Sequence, residues 1–208
     1  MNAHTVSPEE SGRPHALFLA GHPALDFLNT RMRVNAAFLD LLQSDEDVLI
    51  WLRQAGYPTP RTPRIDGRTG SVALLRSARR LRESVRSLVE SRKMGQRGDP
   101  FILNSILAAS RSYPQLVWRG PNAVEIETVR RQETAGSILA PVAEAAAELL
   151  TTADFDLIKH CEDDTCSLWF SDQTKSHNRR WCSMEICGNR NKVAAYRVRD
   201  RNRRPPTS

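Results

Sequence analysis

The sequence predicts an α+β chain, with a mainly helical N-terminal domain that carries one small β-hairpin and a compact, basic C-terminal module behind it. Three observations predict it. Leu74, Ala78, Leu81, Val85 and Leu88 repeat at spacings of four and three, the period of an amphipathic helix. Two short β-prone runs, 115–118 and 123–127, flank the turn-forming Arg119-Gly120-Pro121-Asn122. The four cysteines all fall in the last quarter of the chain, as Cys161, Cys166, Cys182 and Cys187, spaced C-x4-C-x15-C-x4-C.

With 208 residues, 40% of them hydrophobic, the chain can fill one substantial core and a small module besides. No stretch reaches the roughly 18 apolar residues needed to span a bilayer, so no membrane partner is expected. The net charge of +6 is unevenly placed. Residues 175–208 hold ten Lys or Arg against two acids, a net +8, which leaves −2 on residues 1–174. The basic character belongs to the C-terminal module.

In chain order, residues 1–14 read as a mobile lead-in, and the N-terminal domain spans 15–153. Ala24, Leu25, Phe27 and Leu28 mark a short buried helix or turn. Ser44, with Asp47 three residues on, opens a helix through Val48, Leu49 and Leu52 that stops near Gly56. A loop with Pro58, Pro60 and Pro63 follows. The periodic helix covers 71–91, and Arg79, Arg80, Arg82 and Arg86 read as its solvated face. Asp99-Pro100 signals a helix start, with Asp99 as cap, and that helix is expected to run to about Ser112. The hairpin comes next. Ile138, Leu139, Val142, Ala146, Leu149 and Leu150 then give a second helix of buried-stripe spacing.

The C-terminal module spans 154–204. Two close cysteine pairs separated by a short loop can surround one ion with four thiolates, as structural zinc sites do. Two disulfides are the alternative, and they suit secreted chains. Met1 to Pro14 shows no secretory pattern, so a reducing cytoplasm is expected and zinc (Zn2+) is the reading taken. An iron–sulfur cluster would place three cysteines in one tight run. His160 and His177 are near enough to replace a thiolate but are read as ordinary polar residues. The expected arrangement puts the first pair on a knuckle, a hairpin through Ser167–Asp172 after it, and the second pair leading into a helix that starts near Gly188 or Asn189. That is a treble-clef-like zinc finger. Trp169, Phe170 and Trp181 are expected to pack around the metal, and Asn189 to cap the helix.

The run from Arg180 through Cys182-Ser183-Met184 to Cys187-Gly188-Asn189-Arg190 and Lys192, with Phe170-Ser171-Asp172 upstream and Tyr196 downstream, resembles the CGNR zinc finger. Leu25-Asp26-Phe27-Leu28-Asn29-Thr30 and Trp51-Leu52 to Ala55-Gly56 are similar to the ABATE-type domain that precedes that finger. Together these stretches cover nearly the whole chain. The resemblance implies a bacterial, stress-induced transcription regulator whose finger binds double-stranded DNA and whose N-terminal domain senses a small-molecule effector.

The charge pattern is consistent with the polyanion, because a phosphate backbone rewards dense cations through counterion release. Arg190 and Lys192 near the helix start, Arg179 and Arg180 on the preceding loop, and Arg197, Arg199 and Arg201 along the helix are the candidate DNA contacts. Their positions surround the helix axis, so spacing alone does not orient it. Arg203 to Pro206 reads as an arm beyond the helix. Candidate effector contacts are His22, Asp26, Asn29 and Thr30, with local capping as the plainer role for Asp26 and Asn29. No catalytic constellation emerges. His177-Asn178 faintly resembles a treble-clef nuclease, which would need a second, open metal site. An RNA- or protein-binding zinc module is the other alternative. A homodimer would match repeated half-sites, although no heptad seam demands one.

Overall fold

Six α-helices, one π-helical turn and three two-stranded antiparallel sheets account for the regular structure of residues 16–34, 37–60 and 70–203, which the computed structural model describes. The expected lead-in at 1–14, Pro63 and the arm from 204 onward lie outside these residues. Helix α1 (Pro23–Leu28) starts at His22, whose ring Nδ1 accepts the Ala24 N–H at 3.2 Å. A hairpin that the sequence reading left unassigned follows, β1 (Arg31–Val34) against β2 (Ala37–Asp40). Helix α2 (Asp45–Gln54) begins where Ser44 Oγ accepts the Asp47 N–H at 3.2 Å, and the chain reverses at Gly56 with φ +80°, a value open to glycine.

Helix α3 (Gly70–Lys93) is the long amphipathic helix, and α4 (Phe101–Leu107) is shorter than expected. Asp99 Oδ1 does accept the Phe101 N–H at 2.9 Å, but Ser112 opens a strand rather than closing the helix. Strand β3 (Ser112–Gly120) pairs with β4 (Ala123–Arg130), longer than the two β-prone runs alone. Helix α5 (Ala135–Thr152) starts with a reciprocal box between Thr134 and Ser137. The apolar stripe of α3 (Leu74, Ala78, Leu81, Val85, Val89) meets Ile138, Leu139, Val142 and Ala146 of α5, Val48, Leu49 and Leu52 of α2, and Leu25 and Phe27 of α1 in one core.

The arginine face of α3 is not simply solvated. Arg82 is 2% exposed and holds Asp40 with two hydrogen bonds of 2.8 and 2.7 Å, while also donating to Thr30 Oγ1 at 3.0 Å. Arg79 donates twice to the Leu42 carbonyl, at 3.0 and 2.6 Å, and Arg86 donates to the Leu28 carbonyl at 2.8 Å. Arg80 is exposed, as expected. The reason is geometric: position 82 lies four residues after Ala78 and three before Val85, on the stripe itself. A guanidinium there serves the Asp40 carboxylate and the Thr30 hydroxyl, while Arg79 and Arg86 take carbonyls that the turns flanking β1 and β2 leave open. Burial pushes the Asp40 carboxyl up, but the Arg82 hydrogen bonds and charge, with the Leu42 N–H, outweigh this and hold it below its ordinary value.

Replacing Arg82 by Met keeps most of the volume and strips Asp40 of its two direct guanidinium hydrogen bonds, leaving only Arg79 at 3.7 Å, so we expect a loss of about 3 kcal/mol in urea unfolding. Arg80→Ala should stay within about 0.5 kcal/mol of wild type.

Candidate metal centre

The C-terminal module is built around a strand pair. Strand β5 (Ile158–His160) runs antiparallel to β6 (Trp169–Ser171), so the hairpin encloses the first cysteine pair instead of following it. The knuckle between them is locked by an Asp-x-Thr turn: Asp163 Oδ1 accepts the Thr165 N–H at 2.9 Å and its hydroxyl at 2.6 Å, and the Cys166 N–H reaches the Asp163 carbonyl at 2.9 Å. The same pattern recurs at Asp172 and Thr174, with bonds of 3.1 and 2.6 Å. Asp172 is fully buried and also accepts from Lys159 Nζ at 2.7 Å and the Arg179 N–H at 2.8 Å. Burial pushes its carboxyl up, but Lys159, Thr174 and Arg179 together hold it well below the ordinary carboxylate range.

The second pair lies at the start of the last helix. Ser183 Oγ accepts the Glu185 and Ile186 N–H groups, so Ser183 rather than Asn189 is the cap. Residues Met184–Gly188 form one π-helical turn, and α6 (Asn189–Arg203) continues from it. The wide turn suits the C-x4-C spacing because it swings Cys187 back toward Cys182. The Asn189 amide donates back to the Glu185 carbonyl at 3.4 Å.

These two elements bring all four sulfurs within 4.8 Å of one another, with Cys166–Cys182 at 3.8 Å and Cys182–Cys187 at 3.6 Å. A tetrahedron of sulfurs about 2.3 Å from zinc has edges of about 3.8 Å, so the donor set fits the ion. All four thiols are buried and reduced. Without a cation, burial and then the charge of Cys166 push the Cys187 thiol up to about 12, so four thiolates coexist only around one. The Cys182 N–H points to Cys161 Sγ at 3.5 Å. Among the described residues this is the one cluster able to hold a metal. His160 instead stacks on Trp169, ring centroids 3.5 Å apart, and His177 sits in a turn at φ 51° whose carbonyl accepts from Lys159 Nζ.

The aromatic residues divide. Phe170 packs with the cysteines and Trp181 is half-buried against them, but Trp169 belongs to the N-terminal core, as does Ile158. In exchange Met32 packs with the cysteines, with Leu17, Leu39 and Leu41 half-buried against that cluster. Backbone and side-chain bonds stitch the exchange. Asn29 donates to the Trp169 carbonyl and accepts its N–H, both at 2.9 Å, as a neighbouring strand would. The Arg33 N–H donates to Ser167 Oγ at 2.7 Å, and the Ser171 N–H donates to the Ala20 carbonyl at 2.7 Å.

The candidate DNA contacts fall into two groups. Arg179 lies over the Phe170 ring, 4.4 Å from its centroid, and donates to the carbonyls of Leu19, Trp181 and Cys182. Arg190 donates to Thr165 Oγ1 at 2.7 Å and reaches buried Asp163 at 3.3 Å. Asn191, which sequence reasoning missed, donates to Asp163 at 2.8 Å and to the Cys187 carbonyl at 2.9 Å. Arg179 and Arg190 thus hold the finger together from inside. Lys192, Arg197 and Arg199 are exposed on α6, Arg201 falls on its last turn, and exposed Arg180 pairs with Glu162 at 2.5 Å.

The candidate effector contacts also turn inward. Asn29 spans the seam and His22 caps α1, while Thr30 donates to the Phe27 carbonyl at 2.7 Å and receives Arg82. Asp26 is buried and accepts the Ala20 N–H at 3.0 Å. Its burial outweighs the Ala20 and Leu19 N–H groups and raises its carboxyl to about 6.

Four thiolates held between a strand knuckle and a helix start define a zinc finger of the treble-clef kind, here fused to a helical domain. The chain belongs to the ABATE family, described as "Putative stress-induced transcription regulator", which matches residues 21–153, and residues 158–200 match the CGNR zinc finger. No curated protein matches the chain. The chain therefore binds zinc through a CGNR finger and belongs to a regulator-type family. No helix among the described residues is long and apolar enough to cross a membrane.

Metal analysis should find one zinc per chain, and a strong chelator should expose four titratable thiols and collapse the near-ultraviolet signal of Trp169 and Trp181 together. For Asp26, a raised carboxyl adds stability below about pH 4 that is lost as pH rises through about 6. The stability of wild type relative to Asp26→Asn should accordingly fall between about pH 4 and about pH 6 in urea unfolding and level off above.

Proposed function

We propose that this protein is a zinc-dependent, DNA-binding regulator of transcription and that α6 is the element that enters duplex DNA. One observation carries this reading: every residue from 192 to 199 is exposed. Beyond its first turn α6 carries Lys192, Arg197 and Arg199 beside exposed Val193, Tyr196 and Val198, and so gains little from the fold that holds it. A major groove about 12 Å wide accepts such a helix, and its two phosphate walls give a use to cations on several sides of the axis. The spread of Lys192, Arg197, Arg199 and Arg201, which left the helix unoriented in the sequence, suits that position. Arg180 extends the basic surface beside the finger. Arg179 and Arg190 contribute by fixing the angle at which α6 leaves the zinc site, through the Cys182 carbonyl and through Asp163.

The N-terminal domain is the receiving half in this proposal. Asn29 serves the seam, and His22, Asp26 and Thr30 serve local caps and backbone rather than an open pocket, so a small-molecule effector of that domain would reach α6 through the seam. An effector acts only as far as it distinguishes two arrangements of that seam.

With four cations of α6 on phosphates, log K against log salt should have a slope of about −4, and Lys192→Ala or Arg197→Ala should each make it shallower by about 0.9. Fluorescence anisotropy on a duplex measures this, with an RNA competitor alongside. A slope near zero, or stronger binding to the RNA, overturns the proposal.

A further inference from the structure

The β3–β4 hairpin leaves one face bare. Its register sets Leu116 opposite Ile126 and Trp118 opposite Val124, and period-2 alternation puts these four side chains on the same face. They are 66%, 72%, 68% and 44% exposed, respectively. The next pair along that face, Pro114 and Thr128, is uncharged too. Beyond that pair charge lies on the other side, where Glu125 and Glu127 both pair with Arg119, and at the base of the hairpin in Arg130. The base of the hairpin is fixed: Arg130 grips Glu144 of α5 with bonds of 2.7 and 2.8 Å, and Ser110 Oγ donates to the same carboxylate at 2.8 Å.

A two-stranded ribbon with nothing on its apolar face is marginal in water. The four side chains offer roughly 500 Å² of apolar surface, at the high end of what a monomer leaves open. The one cation in that register, Arg130 at the base, is already paired with Glu144, so a phosphate backbone gains little there. A two-fold interface needs a patch that complements itself, and an uncharged apolar ribbon meets its own copy without like-charge repulsion. Two such faces together remove about 1,000 Å² from water, the lower bound of a specific interface.

We propose that a second copy of this chain covers the β3–β4 face, packing ribbon against ribbon about a two-fold axis centred near Trp118 and Ile126. The dimer stands independently of the DNA reading, although on that reading it would present two α6 helices to two half-sites. Sedimentation velocity of the full zinc-bound chain, without nucleic acid, tests it. Wild type should be dimeric at about 100 μM, and a Trp118→Ser/Ile126→Glu variant should be monomeric or at least about 10-fold weaker. Gln115→Glu, on the opposite side of the ribbon, should leave the dimer intact. Zinc content and far-ultraviolet dichroism establish that the double variant is folded; if it is not, Ile126→Glu alone decides by the same measurement. A wild type that stays monomeric at about 100 μM, or a folded variant that stays dimeric, overturns the proposal. So does a face whose mutation weakens duplex binding while wild type is a monomer, since the ribbon would then be a nucleic-acid contact.

Discussion

Everything C-terminal to residue 160 depends on four sulfurs sharing one dication. Thiolates this close repel one another, and burial raises the cost of each charge, so the four sulfurs of the knuckle and the π-helical turn converge because the ion holds them. Once they meet, the geometry propagates. The Cys187 carbonyl receives Asn191, Asp163 receives Arg190 and Asn191, and the first turn of α6 is thereby fixed to the knuckle at its back. Burial pushes the Asp163 carboxyl up, yet Thr165, Arg190 and Asn191 more than offset this and keep it a low-lying anion. The tetrapeptide Cys187-Gly188-Asn189-Arg190 therefore works as a joint: one residue ligates and another grips the knuckle. Gly188 gives Met184 room, since a Cβ there would lie 2.8 Å from its sulfur.

The N-terminal domain solves a related problem with arginine. Hairpin β1–β2 and its turns leave polar groups facing α3, and a single helix face meets them, Arg79 and Arg86 at carbonyls and Arg82 at the Thr30 hydroxyl and the Asp40 carboxylate. That support presents Met32 and Leu39 to the cysteine cluster. Buried polar groups fix register more sharply than apolar contact does, because an orphaned donor or acceptor costs about 1–3 kcal/mol. Asn29 shows this at the seam, where its amide takes both hydrogen bonds of Trp169 that a third strand would take.

Local grammar in the sequence carried much of the fold. Helices α2, α3 and α5, the β3–β4 turn and the cysteine cluster follow from caps, period and spacing, each a short-range signal. What escaped was long-range or ambiguous. Strands β1 and β5 are four and three residues long, too short for alternation to register. Arg82 was misread because its charge argued louder than its place on the apolar stripe. Arg179 and Arg190 looked like surface cations because their carbonyl and carboxylate partners lie far away in the chain, at Leu19 and Asp163. The Asp-x-Thr turns at 163 and 172 were visible as a pattern, and recognising a side chain that accepts from a residue two positions on would have flagged both. Trp169 could not have been placed in the N-terminal core from spacing, since the seam has no sequence signature.

Between the two family matches lie only residues 154–157, and they are no hinge. Phe155 packs against the main core beneath Arg92, and its carbonyl receives Lys93. With Trp169 lodged in one half and Met32 in the other, the joint resembles a mortise more than a tether. Shuffling such genes at that border would part surfaces shaped to each other, since each half buries a side chain that the other supplies.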